Sequence, residues 1–334
     1  MKALCITDQK EPLQFIDKPI PEPKTGEVVV KLKAASLNHR DQWIREGMYP
    51  GIKFGTTLGS DGAGVVESVG EGVDAEWLNK EVIINPNRNW GQNPAVQSAE
   101  YQVFGMPKDG TLAEYVLIEV DRLVQKPDHL SFQEASALPL GGLTAFRATF
   151  FHGQCQEGKN VLISGVGGGV AQFAFLFAQH AGANVWVTSS SEEKIEQCKS
   201  LGAKGGFNYR SENWIKEAKA VGGFDLVVDS AGGDQLNDFI KLMKPAGRII
   251  FYGATTGVPS KLDLHRMFWN QITIQGSTMG NDEEFAQMVD FINKHQLKPI
   301  IDSVRPFDEA ISAFDEMKAG KQFGKLVLIT HDFS

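Results

Sequence analysis

A glycine-rich stretch near the middle of the chain joins a short apolar run to an apolar helical segment. The run covers residues 161–164, and the helical segment covers residues 172–180. Glycines at such a junction let the backbone turn tightly and approach a diphosphate, and the start of the helix offers unpaired N–H groups and a positive dipole end. We therefore expect an anion-binding turn at the end of a buried strand. The residues expected to form it are Gly165, Gly167, Gly168, Gly169 and Val170.

The match to the dinucleotide-binding pattern G-x-G-x-x-G is imperfect. Counted from Gly165, the last glycine of the pattern falls on Val170. Ala171, one position later, can supply the small residue that close helix packing needs. The setting of the turn, between a strand and a helix, makes the dinucleotide interpretation more specific than the glycines alone.

Helical patterns alternate with short buried runs from about residue 131 onwards, which is typical of parallel βαβ units. Six runs are candidate strands, the number found in a doubly wound sheet. We therefore predict an α/β fold with a Rossmann domain over residues 121–270. The candidate strands are residues 160–164, 184–188, 206–209, 224–229, 248–252 and 272–275.

Residues 1–120 contain short apolar or alternating runs separated by Gly, Pro and Asn, which predicts a β-rich domain resembling a barrel or a sandwich. The polar stretch 85–110 is either a functional loop or a surface lobe. Two amphipathic helices, at 282–294 and 307–319, precede a strand at 325–329. We expect this last part, residues 271–334, to join the first domain.

The bulk composition narrows the possible partners. A formal net charge of -8 without a Lys/Arg cluster argues against nucleic acid, because binding a phosphate backbone needs concentrated positive charge. The 3 cysteines lack metal or disulfide spacing, which suits a reducing compartment. No run approaches the roughly 20 apolar residues of a membrane span, so we expect a cytoplasmic protein with a small-molecule substrate.

The end of the second Rossmann strand indicates which dinucleotide is preferred. An NAD site usually has Asp or Glu there to bind the ribose hydroxyls, whereas this chain has Ser189, Ser190 and Ser191. Hydroxyl groups can donate to a 2′-phosphate without repelling it, and Lys194 follows nearby. We therefore predict NADPH. A serine-rich cap of the next helix is the alternative interpretation, and both can hold.

Three motifs, taken in order with the glycine turn, resemble the medium-chain dehydrogenase/reductase superfamily over nearly the whole chain. Residues 34–41 resemble the segment that supplies a zinc cysteine, residues 59–70 the Gly-His-Glu motif, and residues 138–145 the helix with a second cysteine. At the three ligand positions, however, this chain has Asn38, Ser60 and Leu140. The stretch 85–110 also lacks the cysteines of a structural zinc site. We therefore expect no metal.

The loss of both zinc sites implies the zinc-independent branch of the superfamily, which resembles quinone oxidoreductases and enoyl reductases. This resemblance implies a GroES-like fold for the β-rich domain, NADPH as cofactor and a homodimer. It also places Tyr209 against the 2′-phosphate. Further expected cofactor contacts are Gly253, Ser277, Met279 and Lys325.

Three residues are candidates for contact with the reacting groups. We expect Asn38 to donate to a substrate carbonyl, Tyr49 to act as a donor or proton source, and Thr144 to lie beside the nicotinamide. Asn38 can equally belong to a polar loop tied to its own backbone, and Asp61 can pair with Arg40. Tyr49 can simply cover apolar surface.

Hydride transfer to a quinone or an α,β-unsaturated carbonyl is the predicted reaction, because such acceptors spread the developing charge without a metal. A metal-free carbonyl reductase or alcohol dehydrogenase is the second hypothesis. A non-catalytic NADPH-binding sensor is the third.

Overall fold

The computed structural model describes residues 1–8 and 12–330. Within them the strands are β1 Lys2–Ile6, β2 Leu13–Asp17, β3 Glu27–Ser36, β4 Asp61–Val69, β5 Glu81–Ile84, β6 Asn87–Arg88, β7 Gln102–Val103, β8 Tyr115–Glu119, β9 Leu123–Gln125, β10 Asn160–Ile163, β11 Asn184–Ser189, β12 Gly205–Asn208, β13 Phe224–Asp229, β14 Met243–Phe251, β15 Thr273–Gly276, β16 Ile301–Pro306 and β17 Lys325–Ile329.

The helices of the same residues include one π-helical turn, Arg147–His152, which directly follows α3. The α-helices are α1 His39–Arg45, α2 Phe132–Ser136, α3 Pro139–Phe146, α4 Gly169–His180, α5 Glu192–Ser200, α6 Trp214–Ala220, α7 Gln235–Leu242, α8 Leu264–Asn270, α9 Asp282–His295 and α10 Ala310–Lys318. No helix in the described part of the chain is both long enough and apolar enough to cross a membrane.

The chain divides into two compact units, of which unit 2 is Gly142–Gly280. Its sheet has the order β12-β11-β10-β13-β14-β15, and all of its strand pairs are parallel. After Asn160, the central strand β10 is apolar, as expected for a strand covered on both faces, and Val161, Leu162 and Ile163 are fully buried. Chain order reverses at β10, which is the Rossmann arrangement. The predicted α/β fold class is confirmed.

Helix α4 follows the glycine turn and is buried along most of its length, from Ala171 to Ala178. A second group of side chains packs where α6 and α7 cover the sheet. It contains Trp214, Phe224, Phe239 and Ile249. These contacts hold α6 and α7 on the sheet, and doubly wound sheets bind their ligands at the carboxyl ends of the strands.

Unit 1 combines Met1–Gly141 with Asn281–Ser334. Its main sheet has the order β16-β17-β3-β4-β5-β9, and β8 also pairs with β3. Strand β17 is antiparallel to β3, with Val327 opposite Ser36, so the last strand lies in the same sheet as the early ones. The long β3 alternates between buried and partly exposed positions only from Val30 to Ala34, and consecutive residues are buried on either side of that stretch.

The division falls after Gly141 and after Gly280, whereas the sequence suggested residues 120 and 270. Strand pairing and helix packing explain both differences. Strand β9 pairs with β5, and α2 packs on β3 and β4, which keeps residues 121–141 with unit 1. Strand β15 pairs with β14, which keeps it in unit 2. Composition changes near residue 131, but the sheet partners decide where a unit ends.

The polar stretch 85–110 contains its own small hairpin. Strand β6 pairs with β7, and the ring of Trp90 meets that of Tyr101 edge-on with 5.3 Å between centroids. A surface lobe is therefore the better description of the stretch than a structureless loop.

Candidate active site

The glycine turn of unit 2 lies between the end of β10 and the start of α4. Gly165 has a φ of +60°, and a Cβ placed on it would lie 3.0 Å from Ser230 Oγ. A glycine relieves both constraints. The turn is held by two backbone bonds, from Val166 N to Thr188 O at 3.2 Å and from Gly168 N to Gly165 O at 3.2 Å.

The start of α4 has no side chain capping it. The residue at the N-cap is Gly168, and no described side chain accepts from the first turn of the helix. The first helical bond runs from Gln172 N to Gly168 O at 3.0 Å. The N–H groups of Gly169, Val170 and Ala171 therefore keep their donors for an anion, and the helix dipole favours negative charge at this end. These residues fit a dinucleotide diphosphate.

Asp229 ties the end of β13 to the glycine turn. Ser164 Oγ donates to this carboxylate, and so do the N–H groups of Ala231 and Gly232, at 3.2 Å and 2.7 Å. Burial raises the pKa of Asp229, while these hydrogen bonds act in the opposite direction. Sequence reasoning did not identify this role of Asp229. The signal was an Asp at a strand end followed by Gly232 and Gly233, both at positive φ.

The serines at the end of β11 perform the capping role that the alternative interpretation gave them. Ser191 Oγ accepts from Lys194 N at 3.3 Å at the start of α5, and Ser189 Oγ accepts from Ser191 N at 3.1 Å. Tyr209 is adjacent, since its N–H donates to Ser189 O at 3.2 Å. Backbone pairing thus brings Ser189, Ser190, Lys194 and Tyr209 to one strand end, where the sequence predicted the adenosine 2′-phosphate.

A third group lies beyond the ends of β14 and β15. Ser277 N donates to Phe251 O at 2.9 Å, and Ser277 Oγ is buried without a hydrogen-bond partner among the described residues. Thr144 Oγ1 lies 3.6 Å from Met279 Sδ. At Gly253, a Cβ would lie 2.5 Å from Ser230 O. The residues expected on the nicotinamide side therefore lie at neighbouring strand ends of unit 2, and the unpaired hydroxyl of Ser277 suits a polar ligand.

In unit 1, Asn38 precedes α1 and belongs to a buried polar cluster. Its Nδ2 donates to Asp61 Oδ2 at 2.9 Å, and its Oδ1 accepts from Lys325 Nζ at 2.8 Å. The ammonium of Lys325 also donates to Asp61 Oδ2 at 2.9 Å and to Leu37 O at 2.8 Å. Leu140 N donates to Asp61 Oδ1 at 2.7 Å. The side chains of Lys325 and Asp61 are 4% and 0% exposed.

These contacts correct two expectations. Asp61 does not pair with Arg40, because Lys325 is its cation and Asp41 lies nearest to Arg40, at 3.6 Å. Lys325 was expected at the cofactor, but its three ammonium donors already have acceptors inside unit 1. These contacts argue for a structural role of Lys325 in place of a cofactor contact. The partners of Lys325 are residues far away in the chain, which the local sequence around Lys325 could not show.

The guanidinium of Arg40 forms the second half of the cluster. It donates to Ser60 Oγ at 2.6 Å and to Phe104 O at 2.8 Å, and Ser60 Oγ itself donates to Phe104 O at 2.7 Å. Burial raises the pKa of Asp41 to about 6, and the nearby Arg40 acts against that rise. The ring of Tyr49 lies 5.0 Å from the Arg40 guanidinium and packs against the core of unit 1. The apolar-cover interpretation therefore describes the ring of Tyr49.

The residues at the three zinc-ligand positions do not fit a metal ion. The amide of Asn38 and the hydroxyl of Ser60 are held by neighbours, and Leu140 has no ligating atom. The nearby carboxylate of Asp61 is already paired with the ammonium of Lys325. Within residues 1–8 and 12–330, no three His, Cys, Asp or Glu side chains are grouped as a metal site requires.

Comparison with known proteins agrees with this architecture. The profile of the alcohol dehydrogenase GroES-like domain matches residues 24–128, and that of the zinc-binding dehydrogenase family matches residues 169–294. A zinc-type alcohol dehydrogenase-like protein YogA of Leptosphaeria maculans is 36% identical, with 95% of this chain and 93% of the relative covered. The chain belongs to the medium-chain dehydrogenase/reductase superfamily, and it is a GroES-like plus Rossmann oxidoreductase that binds a nicotinamide cofactor.

Two further relatives indicate the range of activities. A crystal structure titled NAD-dependent alcohol dehydrogenase superposes with a TM-score of 0.94 at 36% identity, covering 99% of this chain and 100% of that one. A quinone oxidoreductase of Mus musculus is 28% identical, with 94% of this chain and 92% of the relative covered. The family therefore leaves both the acceptor and the choice of dinucleotide open.

Proposed function

We propose that this protein is a zinc-independent oxidoreductase that transfers hydride from NADPH to a quinone or an α,β-unsaturated carbonyl compound in the cytoplasm. One observation carries the proposal: the residues at the zinc-ligand positions form or adjoin a buried network of hydrogen bonds around the Asp61–Lys325 ion pair. A metal ligand must offer a free lone pair, and Leu140 has none. Catalysis here therefore depends on hydrogen-bond donors.

The bound nicotinamide supplies the hydride, and the chain supplies position and charge stabilisation. Asn38 Nδ2 carries two protons and donates one to Asp61, which leaves the other for an acceptor oxygen. A single neutral donor stabilises a delocalised enolate more adequately than a localised alkoxide. Tyr49 is a second candidate donor, and Thr144 is the candidate residue beside the nicotinamide. This chemistry favours quinones and enones over simple ketones.

The preference for NADPH rests on the missing carboxylate at the end of β11. Ser189 and Ser190 occupy that strand end together with Lys194 and Tyr209, and none of these four side chains repels a 2′-phosphate. Ser189→Asp should raise the Michaelis constant for NADPH at least about tenfold and leave that for NADH unchanged or lower. Initial-rate kinetics with both dinucleotides measure this.

Ser191→Asp is the matched control for that charge change. Asp is as good an N-cap as Ser, so the helix remains capped while a carboxylate is added two residues away. Its effect on the NADPH constant should be clearly smaller than that of Ser189→Asp. Equal wild-type affinity for NADH and NADPH would contradict the preference for NADPH.

A panel of acceptors tests the reaction itself. NADPH oxidation should be fastest with a quinone or an enone and at least about tenfold slower with a simple aldehyde. The resemblance to a protein titled NAD-dependent alcohol dehydrogenase favours a second candidate, a metal-free carbonyl reductase or alcohol dehydrogenase. Faster turnover of the aldehyde would support this candidate. Tight cofactor binding without turnover of any acceptor would instead indicate a non-catalytic NADPH sensor.

A further inference from the structure

The orientation of the Asn38 amide is determined by its two charged neighbours. Lys325 can only donate, and it contacts Oδ1 at 2.8 Å, whereas the carboxylate of Asp61 accepts from Nδ2 at 2.9 Å. Turning the amide over would place its NH₂ group against an ammonium and its oxygen against a carboxylate. Both contacts would then be repulsive, so a single orientation is strongly favoured.

The two charged neighbours are themselves held by further bonds. Asp61 Oδ2 also accepts from Ser36 Oγ at 3.0 Å, and Oδ1 accepts from Leu140 N at 2.7 Å. The third bond of the Lys325 ammonium goes to Leu37 O. A buried ion pair costs much desolvation energy and is tolerated only when its hydrogen bonds are satisfied. The Asp61–Lys325 pair meets this condition, and the amide of Asn38 lies between the two charged groups.

We propose that Lys325 and Asp61 are positioning residues, which fix the Asn38 amide so that its remaining N–H is presented to the acceptor oxygen. This inference rests on the proposed function, since it gives that N–H its task. Neither charged residue has to touch substrate or cofactor. Their contribution should therefore appear in turnover while cofactor affinity stays the same.

Lys325→Met tests the inference directly, because it removes the ammonium and frees the amide to turn. The turnover number should fall by about ten- to a hundredfold, while the dissociation constant of NADPH stays within about twofold of wild type. Lys321→Met, an exposed lysine nearby in the sequence, is the matched control and should change neither quantity. A folded Lys325→Met protein with turnover within about threefold of wild type would overturn the proposal.

Exchanging the amide at position 38 and the carboxylate at position 61 tests the positioning role even if Lys325→Met fails to fold. Asn38→Asp alone places two carboxylates together and should lower the melting temperature by about 5 °C or more. Adding Asp61→Asn removes the second carboxylate, so the double variant should regain part of that loss, although the single oxygen of the new amide cannot accept from both Leu140 N and Lys325 Nζ as the Asp61 carboxylate does. Its turnover should nevertheless stay low, because position 38 no longer carries an N–H. No recovery of stability in the double variant, or full turnover by it, would contradict the inference.

These outcomes separate the inference from the proposed function. If the wild-type protein reduces none of the acceptors, the proposed function is wrong, and the proposed task of the Asn38 N–H is wrong with it. If the wild-type protein is active and Lys325→Met or the double variant behaves like wild type, only the positioning role is wrong.

Discussion

Asp41 is a carboxylate whose charge state is governed by burial. Its side chain is fully buried, and its pKa is raised to about 6 mainly by that burial. Between its ordinary pKa of 3.8 and about 6, the folded protein holds a proton that the unfolded chain has released. The contribution of Asp41 to the free energy of unfolding therefore decreases as the pH rises through this window, by roughly 3 kcal/mol at most.

Asp41→Asn should remove this contribution. Between pH 4 and 6, the free energy of unfolding of the variant should rise relative to that of wild type, and urea titrations at several pH values measure the difference. Asp290→Asn, on the exposed side of α9, should follow the wild-type curve. Parallel curves for wild type and Asp41→Asn would show that Asp41 is not the group responsible.

The sequence alone predicted which residues of unit 1 were unusual but not how they pair. Asn38, Ser60 and Leu140 stood out because the resemblance gave each position an expected ligand. The partner of Asp61 could not be inferred in the same way, since Arg40 is close in sequence and Lys325 lies 264 residues away. Which cation reaches a buried carboxylate depends on strand register, here β17 against β3.

The turn between β10 and α4 depends on the conformation of a single glycine. Gly165→Ala would require a left-handed backbone at a residue with a Cβ, and would place that Cβ 3.0 Å from Ser230 Oγ. The distorted turn should bind NADPH about tenfold more weakly, which fluorescence titration of the bound nicotinamide measures. The expected loss of affinity arises because the N–H groups at the start of α4 would no longer point at the diphosphate.

Gly158→Ala is a matched control for the backbone strain. Gly158 also has a positive φ, +77°, but a Cβ on it would meet no atom within 4 Å, and it precedes β10 on the opposite side from the turn. Both variants should lose similar thermal stability, and only Gly165→Ala should lose cofactor affinity. Equal NADPH affinity in the two variants would exclude a special role for the turn.

The strands of the Rossmann sheet and β17 were predicted, whereas β16 was missed. All six Rossmann strands and β17 were anticipated, although β14 begins at Met243, five residues before the predicted start at residue 248. Strand β16, Ile301–Pro306, escaped notice because its sequence contains Asp302 and Arg305 and none of its residues is fully buried. Its place in the sheet comes from parallel pairing with β17. The position of such a strand in the sheet depends more on its neighbouring strand than on its own pattern of apolar residues.

At the scale of the whole molecule, the sequence predicted that residues 271–334 join the first domain. The contacts of the chain group Asn281–Ser334 with Met1–Gly141 in unit 1. The sequence could not place the boundaries, because pairing partners far away in the chain determine them. Trp269 is 80% exposed, although tryptophan side chains are usually largely buried. A large apolar side chain in solvent calls for a different explanation.

The exposed apolar residues of unit 2 are concentrated near α8 and include Val258, Leu264, Phe268 and Trp269. Strand β15 follows α8 directly and ends the sheet order, with β14 as its only partner in the described residues. An unpaired edge beside an apolar patch suits association with a second copy, which would continue the sheet and cover the patch. The homodimer that the sequence resemblance predicts is therefore expected to form through this edge.

Light scattering after gel filtration tests the dimer. The wild-type protein should elute at twice the chain mass of 36.6 kDa at micromolar concentration, and Trp269→Glu should shift it towards the monomer because a carboxylate would be buried in the interface. Ile20→Glu is the control, since Ile20 is another exposed apolar residue, at 53%, but belongs to unit 1, and this variant should remain dimeric. A monomeric wild-type protein, or a Trp269→Glu dimer as tight as the control, would assign the apolar patch to some other partner.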